Sequence, residues 1–253
     1  MGKGAREKRS EGRQVDVGDG VRTERRGDHA AGLAVSQPES YHWRSMAAKL
    51  HELVDRVGAE LSVSVTVSPR ARQGIDTWLD RLQEWNARID LTAARSPEEL
   101  VDLMLADALV LAAHMPRGVR VVDVGSGAGA PGLPLALLRD DLHVTLVEPM
   151  AKRVSFLRTV LGAVGRTDVR LERLRGEALA GEPAYDEAVS RATLAPADWL
   201  RLGARLVVPG GHVWTLLAND PPPTHERATL VEEHAYVWPL TSVKRRALVY
   251  RIE

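Results

Sequence analysis

An acidic residue and four closely spaced glycines stand in the stretch VVDVGSGAGAPGLPLALL, residues 121–138. Asp123 follows a β-branched run, and a helix-forming apolar segment comes after the glycines. Glycine lets a backbone approach a ligand closely because it has no side chain. In an open α/β sheet, a glycine-rich turn between the first strand and its helix is a common cofactor-binding position. The spacing therefore predicts that this turn binds a nucleotide-type cofactor.

The acid before the glycines distinguishes two types of cofactor. Gly125, Gly127 and Gly129 resemble the glycine spacing of a dinucleotide site, but Asp123 would repel a pyrophosphate. The same carboxylate suits the ammonium group of S-adenosylmethionine. The sequence therefore favours S-adenosylmethionine over NAD, with Ser126 inside the binding turn.

Two further acids follow candidate strands. Glu148 ends the second one, nineteen residues after Gly129, where an acid can accept hydrogen bonds from both ribose hydroxyls. The alternative is that Glu148 is a solvated loop acid. Glu177 follows the third candidate strand and would lie near the adenine, although spacing alone leaves that assignment open.

From residue 119 onward, short β-branched runs alternate with helical segments. The candidate strands are VRVVDV, HVTLVE, DVRLER, YDEAVS, HVWTLL, HAYVWPL and RALVYRI, and the candidate helices cover 131–139, 150–164 and 195–206. Alternation through the first five strands predicts a parallel sheet covered by helices on both faces. A short linker joins the last two strands, so we expect them to pair antiparallel at one edge.

Helical patterns precede the sheet. Ser68 and Pro69 are a typical helix start, and SPEEL at 96–100 predicts a second helix, with a capping box, that runs to about His114. The first of these helices carries an apolar stripe of Ile75, Trp78, Leu79, Leu82 and Trp85. A stripe at this spacing indicates packing against the rest of the fold rather than a ligand site.

Three regions are expected along the chain. Residues 1–40 are polar and without periodicity, which is typical of a disordered tail. A helical pattern begins at Tyr41, so residues 41–117 are predicted to be a helical extension and residues 118–253 the α/β domain.

Composition and charge narrow the class of protein. With 34 basic and 34 acidic residues the formal net charge is zero, which indicates no overall attraction to nucleic acid. The absence of cysteine excludes disulfides, thiolate metal ligands and cysteine nucleophiles. No metal-ligand constellation and no apolar run of membrane-spanning length is visible. We therefore expect a cytoplasmic monomer that binds neither a metal nor a membrane.

The longest motifs resemble one known family. VVDVGSGAGAPGLPLALL and LHVTLVEPMAKRVSFLR are similar to the small-subunit ribosomal RNA guanine-N7 methyltransferases, also called glucose-inhibited division protein B. WNARIDLTAARSPEEL, RLRGEAL, AVSRA and VKRRALVYRI extend the resemblance over about residues 70–253. It implies a class I S-adenosylmethionine-dependent methyltransferase fold, with a seven-stranded Rossmann-like sheet. It also implies methyl transfer to a guanine N7 of 16S rRNA, with the free RNA or the 30S subunit as partner.

The resemblance also implies roles for particular residues. By position, the family's cofactor contacts fall on Gly125, Ala130, Gly176, Glu177 and Arg191. Guanine N7 carries a lone pair and no proton, so methylation needs orientation rather than a general base. Two basic residues, Arg191 and Lys152, are expected to orient the substrate as the catalytic pair. The expected RNA contacts are Arg153, Arg158, Arg245 and Arg246.

Several positions depart from the family pattern. The bulky residue that usually follows the third glycine is Ala130, and the family's Asn-Leu-Thr is replaced by Asp-Leu-Thr at 90–92. Its Arg-His pair falls on Leu103 and Met104, and its Lys falls near Leu217. Because three basic groups are missing on the side expected to face RNA, two alternatives stay open. One is a methyltransferase with another substrate, a small metabolite or a different RNA; the other is a non-catalytic cofactor-binding protein.

Overall fold

The computed structural model describes residues 52, 54–57, 59, 61, 65–179 and 183–253. The predicted tail over residues 1–40 lies outside the described residues, as does most of the helical pattern predicted from Tyr41 to Leu61. Within the described part, no helix is both long and apolar enough to cross a membrane.

A single seven-stranded sheet forms the centre of the described chain. Its strands are β1 (Arg120–Val124), β2 (His143–Val147), β3 (Arg170–Glu172), β4 (Tyr185–Ser190), β5 (Val207–Leu217), β6 (Ala228–Val237) and β7 (Lys244–Ile252). They lie in the order β3-β2-β1-β4-β5-β7-β6. The first five run parallel, and β7 pairs antiparallel with both β5 and β6. This sheet confirms the predicted α/β class and its seven strands.

Three strands begin earlier than the sequence predicted, and for β7 the difference is from Arg246 to Lys244. β5 starts at Val207 instead of His212, and β6 starts at Ala228 instead of His234. The first residues of β6 are mostly exposed, so an apolar alternation that would mark a strand is absent there. β6 also ends at Val237, three residues before the predicted end at Leu240. The expected antiparallel pairing at one edge is confirmed, with β6 as the edge strand.

The helices agree closely with their predicted bounds. They are α1 (Pro69–Asn86), α2 (Pro97–Val101), α3 (Asp107–His114), α4 (Gly132–Leu138), α5 (Ala151–Ala163) and α6 (Pro196–Leu206). The Ser68 and Ser96 hydroxyls accept hydrogen bonds from the first-turn N–H groups of α1 and α2, as expected for N-caps. The predicted capping box is wrong in one detail, because the Glu99 carboxylate accepts from the Arg95 N–H rather than from that of Ser96.

A π-helical turn at Asp102–Ala106 interrupts the helix that was predicted to run unbroken to His114. Its hydrogen bonds join residues five apart, so Asp102 and Asp107 come to lie on one side of the helix. Asp102 accepts from the Leu240 and Thr241 N–H groups, and Asp107 accepts from side chains of β6 and of the turn after it. The turn therefore fixes the helical segment to the β6–β7 hairpin through two buried carboxylates.

Apolar clusters cover both faces of the sheet. On one face, Trp78 of α1 and Phe156 of α5 pack with α3 and α4, and on the other face α6 contributes Trp199. The apolar stripe of α1 is buried or packed in this core, as predicted. The Trp78 indole N–H donates to the carbonyl of Ala128 at 2.9 Å, so α1 also supports the glycine turn directly.

Candidate functional site

The glycine turn after β1 adopts a backbone conformation that favours glycine. Gly125, Gly127 and Gly129 have φ angles of +78°, +57° and +118°. A side chain at Gly125 would collide with Thr193, whereas the nearest atom to a Cβ at Gly127 is the Gly125 carbonyl oxygen at 3.8 Å. The backbone at Gly127 is therefore open on the side where a ligand would lie.

A cavity of about 440 Å³ opens above this turn, at the carboxyl ends of β1, β2 and β4. We call it the first cavity. Seven of the predicted site residues line it, namely Gly125, Ser126, Gly127, Ala130, Glu148, Arg153 and Arg191. Leu91, Thr92 and Met150 complete part of the wall and were not predicted. The Asn86 side chain holds the Leu91–Thr92 segment in place by accepting from both of its N–H groups.

Glu148 is part of the cavity wall and is almost entirely buried. Its two carboxylate oxygens accept hydrogen bonds from the N–H groups of Gly127 and Met150, at 2.9 and 2.8 Å. The alternative of a solvated loop acid is therefore wrong. Each carboxylate oxygen has a further lone pair, so Glu148 can still accept from a ligand hydroxyl.

Asp123 lies fully buried behind the turn. One of its oxygens accepts from the Gly132 N–H at 3.0 Å, and the other has no hydrogen-bond partner among the described residues. A Cβ at Gly132 would stand 2.6 Å from the carboxyl, so only glycine permits this approach. Burial raises the pKa of Asp123 to about 7. A carboxylate with one unsatisfied buried oxygen is suited to a cationic group on a ligand.

Ser126 contributes to the turn rather than to a free binding surface. Its hydroxyl donates to the Asp123 carbonyl at 2.9 Å and accepts from the Val147 N–H at 3.2 Å. These bonds tie the turn to the ends of β1 and β2.

Arg191 directly follows β4 and is held by the helical segment. Its Nη1 lies 3.3 Å from the Asp107 carboxylate and donates to the Leu103 carbonyl. Asp186, at the other end of β4, pairs with Arg120 instead of Arg191. An isolated acid in an apolar helical stretch was the only sequence signal that pointed to Asp107.

Two further cavities follow the first one across the sheet. The second cavity, of about 190 Å³, lies at the carboxyl ends of β4 and β5 and shares Leu103, Arg191 and Ala192 with the first. The third, of about 480 Å³, shares Ala218 and Arg245 with the second. Three consecutive basic residues, Lys244, Arg245 and Arg246, line this third cavity. The three therefore form one row, with Arg191 at the first shared wall and Arg245 at the second.

Other predicted residues line none of these three cavities. Asp123, Gly129 and Gly176 are buried and outside the walls of all three cavities, and a Cβ at Gly176 would stand 2.5 Å from a Val124 methyl group. Glu177, Lys152 and Arg158 are exposed side chains outside the row. Their assignment to the cofactor or substrate stays a prediction.

Comparison with known proteins places this arrangement in a family. The family model described as "GidB: rRNA small subunit methyltransferase G" matches residues 71–233. Ribosomal RNA small subunit methyltransferase G of Anaeromyxobacter dehalogenans strain 2CP-C is 35% identical over 215 residues, covering 79% of this chain and 96% of that protein. The enzyme of the same name from Photorhabdus laumondii is 34% identical over 164 residues, covering 65% of this chain and 76% of its own.

Solved structures agree on the fold. TYW2 of M. jannaschii, whose structure is described as a complex with AdoMet, superposes with a TM-score of 0.50 at 12% identity, over 66% of this chain and 80% of that one. The likeness shows the class I methyltransferase fold that was predicted. The family match over residues 71–233 and the 35% identity to the first of these relatives show that the chain belongs to the rRNA small subunit methyltransferase G family.

Proposed function

We propose that this protein transfers a methyl group from S-adenosylmethionine to N7 of a guanine in small-subunit (16S) ribosomal RNA. The observation that carries the proposal is the row of three cavities with Arg191 between the first and the second. The first cavity would hold the cofactor, the second a base of the substrate, and the basic third cavity would face the phosphate backbone of the RNA. The relatives named ribosomal RNA small subunit methyltransferase G support methylation of small-subunit RNA.

The first cavity fits S-adenosylmethionine by its chemistry. Glu148 in the cavity wall has lone pairs for the ribose hydroxyls, and the unpartnered oxygen of Asp123, which is buried behind the glycine turn and outside the wall, suits the ammonium group. The bare backbone at Gly127 leaves room for close approach. These residues would hold the cofactor, and Asp123 would bind as the carboxylate because a bound cation favours its charged form.

The chemistry requires orientation and little else. S-Adenosylmethionine, when bound, supplies an electrophilic methyl group, whose bond to sulfur breaks with its electron pair on sulfur as N7 forms the new bond. N7 has no proton to lose, so no residue must act as a base. Arg191 is suited to orientation, because both of its contacts engage Nη1 while Nε and Nη2 carry three more N–H donors.

The RNA side differs from the family pattern in a specific way. Leu103 and Leu217 line the second cavity, and Met104 lines the first, at positions where the family resemblance led us to expect basic residues. The basic residues of the third cavity supply positive charge beyond them, where phosphates of a bound nucleotide would lie. We place this action in the cytoplasm, with the ribosome, and propose that the protein acts as a monomer.

The same apolar positions favour a second candidate. A methyltransferase that accepts a neutral small molecule would also benefit from Leu103 and Leu217 in the wall of the second cavity. Such an enzyme would need the first cavity unchanged and would gain nothing from the basic third cavity.

The two candidates are separated by a direct assay. Purified protein with labelled S-adenosylmethionine is offered 16S rRNA and 30S subunits from cells that lack the gene, and the RNA is mapped by mass spectrometry. We expect one guanine to gain 7-methylation. If neither the free 16S rRNA nor the 30S subunit is methylated while the protein still binds S-adenosylmethionine, the small-molecule candidate is favoured instead.

A further inference from the structure

A buried hydroxyl in the second cavity has no hydrogen-bond partner. Thr215 lies near the end of β5, is 2% exposed and lines the cavity. Its Oγ1 makes no hydrogen bond to any described residue. An unsatisfied buried hydroxyl costs about 1–3 kcal/mol, so it calls for an explanation beyond folding.

Neighbouring polar groups are engaged elsewhere. Ser190, which pairs with Thr215 across the sheet, donates its hydroxyl to the Val124 carbonyl at 2.8 Å. The Trp199 indole N–H donates to the Trp214 carbonyl at 2.8 Å. Both groups are therefore committed to the protein, and neither satisfies the Thr215 hydroxyl.

A second unsatisfied group reaches the same cavity from its far side. The Nε of Arg245 is buried and has no partner among the described residues, while the guanidinium lies 4.1 Å from the centre of the Trp238 ring. Stacking on Trp238 holds the plane of Arg245 in place, so its Nε–H is a preoriented donor. Leu103, Leu194 and Leu217 are apolar parts of the remaining wall, and the exposed Asp220 is its one acidic residue.

We propose that the second cavity binds the guanine base, with the Thr215 hydroxyl as the contact that orients it. This rests on the proposed function. N7 must reach the first cavity at the shared wall of Leu103, Arg191 and Ala192. The N1–H and amino donors on another edge of guanine then point into the second cavity, where Thr215 Oγ1 can accept from them. Arg245 lies between the second and third cavities, where the ribose and phosphate of the bound guanosine would extend toward the third cavity, and it would donate hydrogen bonds to them.

The apolar walls make this single hydroxyl more important. Where the family resemblance placed a basic residue, Leu217 now faces the base site, so it offers shape and no hydrogen bond. A site with few polar contacts loses much of its orientation when one of them is removed, because the partner group on the substrate is left unpaired. Thr215 is therefore a positioning and specificity residue that touches the substrate in this proposal.

The test uses two substitutions at one position. Thr215→Val keeps the shape and removes the hydroxyl, whereas Thr215→Ser keeps the hydroxyl. Thr145→Val is the matched control, since Thr145 is also a buried strand threonine and lines none of the three cavities. Each variant is assayed for kcat and KM on 16S rRNA or 30S subunits, for the Kd of S-adenosylmethionine by calorimetry, and for Tm.

We expect Thr215→Val to lower kcat/KM by about tenfold or more. Its Kd for S-adenosylmethionine should stay within about twofold, and its Tm should be unchanged or higher, because an unsatisfied buried hydroxyl has been removed. Thr215→Ser should stay within about threefold of the wild type in kcat/KM, an energy of less than about 1 kcal/mol. A loss of activity with retained or increased stability is a result that a merely structural role would not produce.

Two results would overturn the assignment: Thr215→Val as active as the wild type, or Thr215→Ser as impaired as Thr215→Val. If the wild type methylates no small-subunit RNA, the proposed function fails, and the base site is then tested by binding alone. Guanosine monophosphate is titrated into protein saturated with S-adenosylhomocysteine. Binding that Thr215→Val weakens supports the site, and no binding to the wild type, or equal binding to both, refutes it.

Discussion

Asp107 is expected to stabilise both the fold and the position of Arg191. Its Oδ1 accepts from the Tyr236 hydroxyl at 2.7 Å and the Trp238 indole at 2.9 Å, and its Oδ2 faces Arg191 at 3.3 Å. Asp107→Asn keeps an acceptor oxygen for Tyr236 and Trp238 but turns its amide N–H groups toward the Arg191 guanidinium. Hydrogen-bond donors then face one another across this contact. Both side chains are mostly buried, with Asp107 2% and Arg191 13% exposed.

The size of the effect follows from those contacts. Two charge-assisted hydrogen bonds become neutral, at about 1 kcal/mol each, and the buried Arg191 loses its carboxylate partner while it keeps the Leu103 carbonyl. We expect the free energy of unfolding to fall by about 3 kcal/mol, near the lower end of values for broken buried ion pairs. For a domain of this size that lowers Tm by about 6–12 °C.

A matched control and a double mutant identify the cause. Asp186→Asn removes an ion pair with Arg120 whose side chains are 31% and 49% exposed, and it should cost at most about 1 kcal/mol. Urea unfolding of Asp107→Asn, Arg191→Met and the double mutant gives the coupling energy of the pair. If the unpaired Arg191 causes the loss, the double mutant is less destabilised than the sum of the two single ones. A loss below about 1 kcal/mol for Asp107→Asn, or strict additivity, would refute the reasoning.

Three further outcomes follow from the first cavity and its rim. Gly127→Val should abolish S-adenosylmethionine binding in calorimetry, because a branched side chain would fill the open side of the turn and φ is +57° there. The pKa of Asp123 is raised from 3.8 to about 7, so between these pH values the folded state keeps a proton that the unfolded state has lost. The free energy of unfolding should therefore fall as pH rises from about 4 to about 7, and Asp123→Asn should remove that slope in urea titrations. Leu103→Arg should raise the affinity for RNA and steepen the salt dependence of that affinity. Basic residues at the buried positions Met104 and Leu217 should mainly destabilise the fold. An unchanged RNA affinity for Leu103→Arg would favour the small-molecule candidate.

Most elements were predictable because their signals are local. The strands from β1 to β4 lie within the short segments from which they were predicted, and Ser68 and Ser96 cap helices through hydrogen bonds to residues three positions away. β6 shows where this reasoning stops, since an exposed edge strand has no buried face to impose an apolar alternation. Its pairing with β7, rather than its own pattern, makes it a strand.

The sequence by itself was enough to predict the glycine turn and Glu148, and the structure places both at the first cavity. The turn requires positive φ angles at Gly125 and Gly127, and the site requires an acid at the end of β2. Both requirements are local, so residues close together in the sequence meet them. Only the tertiary structure decided the partner of Arg191, which lies 84 residues away at Asp107, and the meeting of Thr215 with Arg245 in one cavity. Burial makes such pairings energetically important, and which residues are buried together depends on how the whole chain packs.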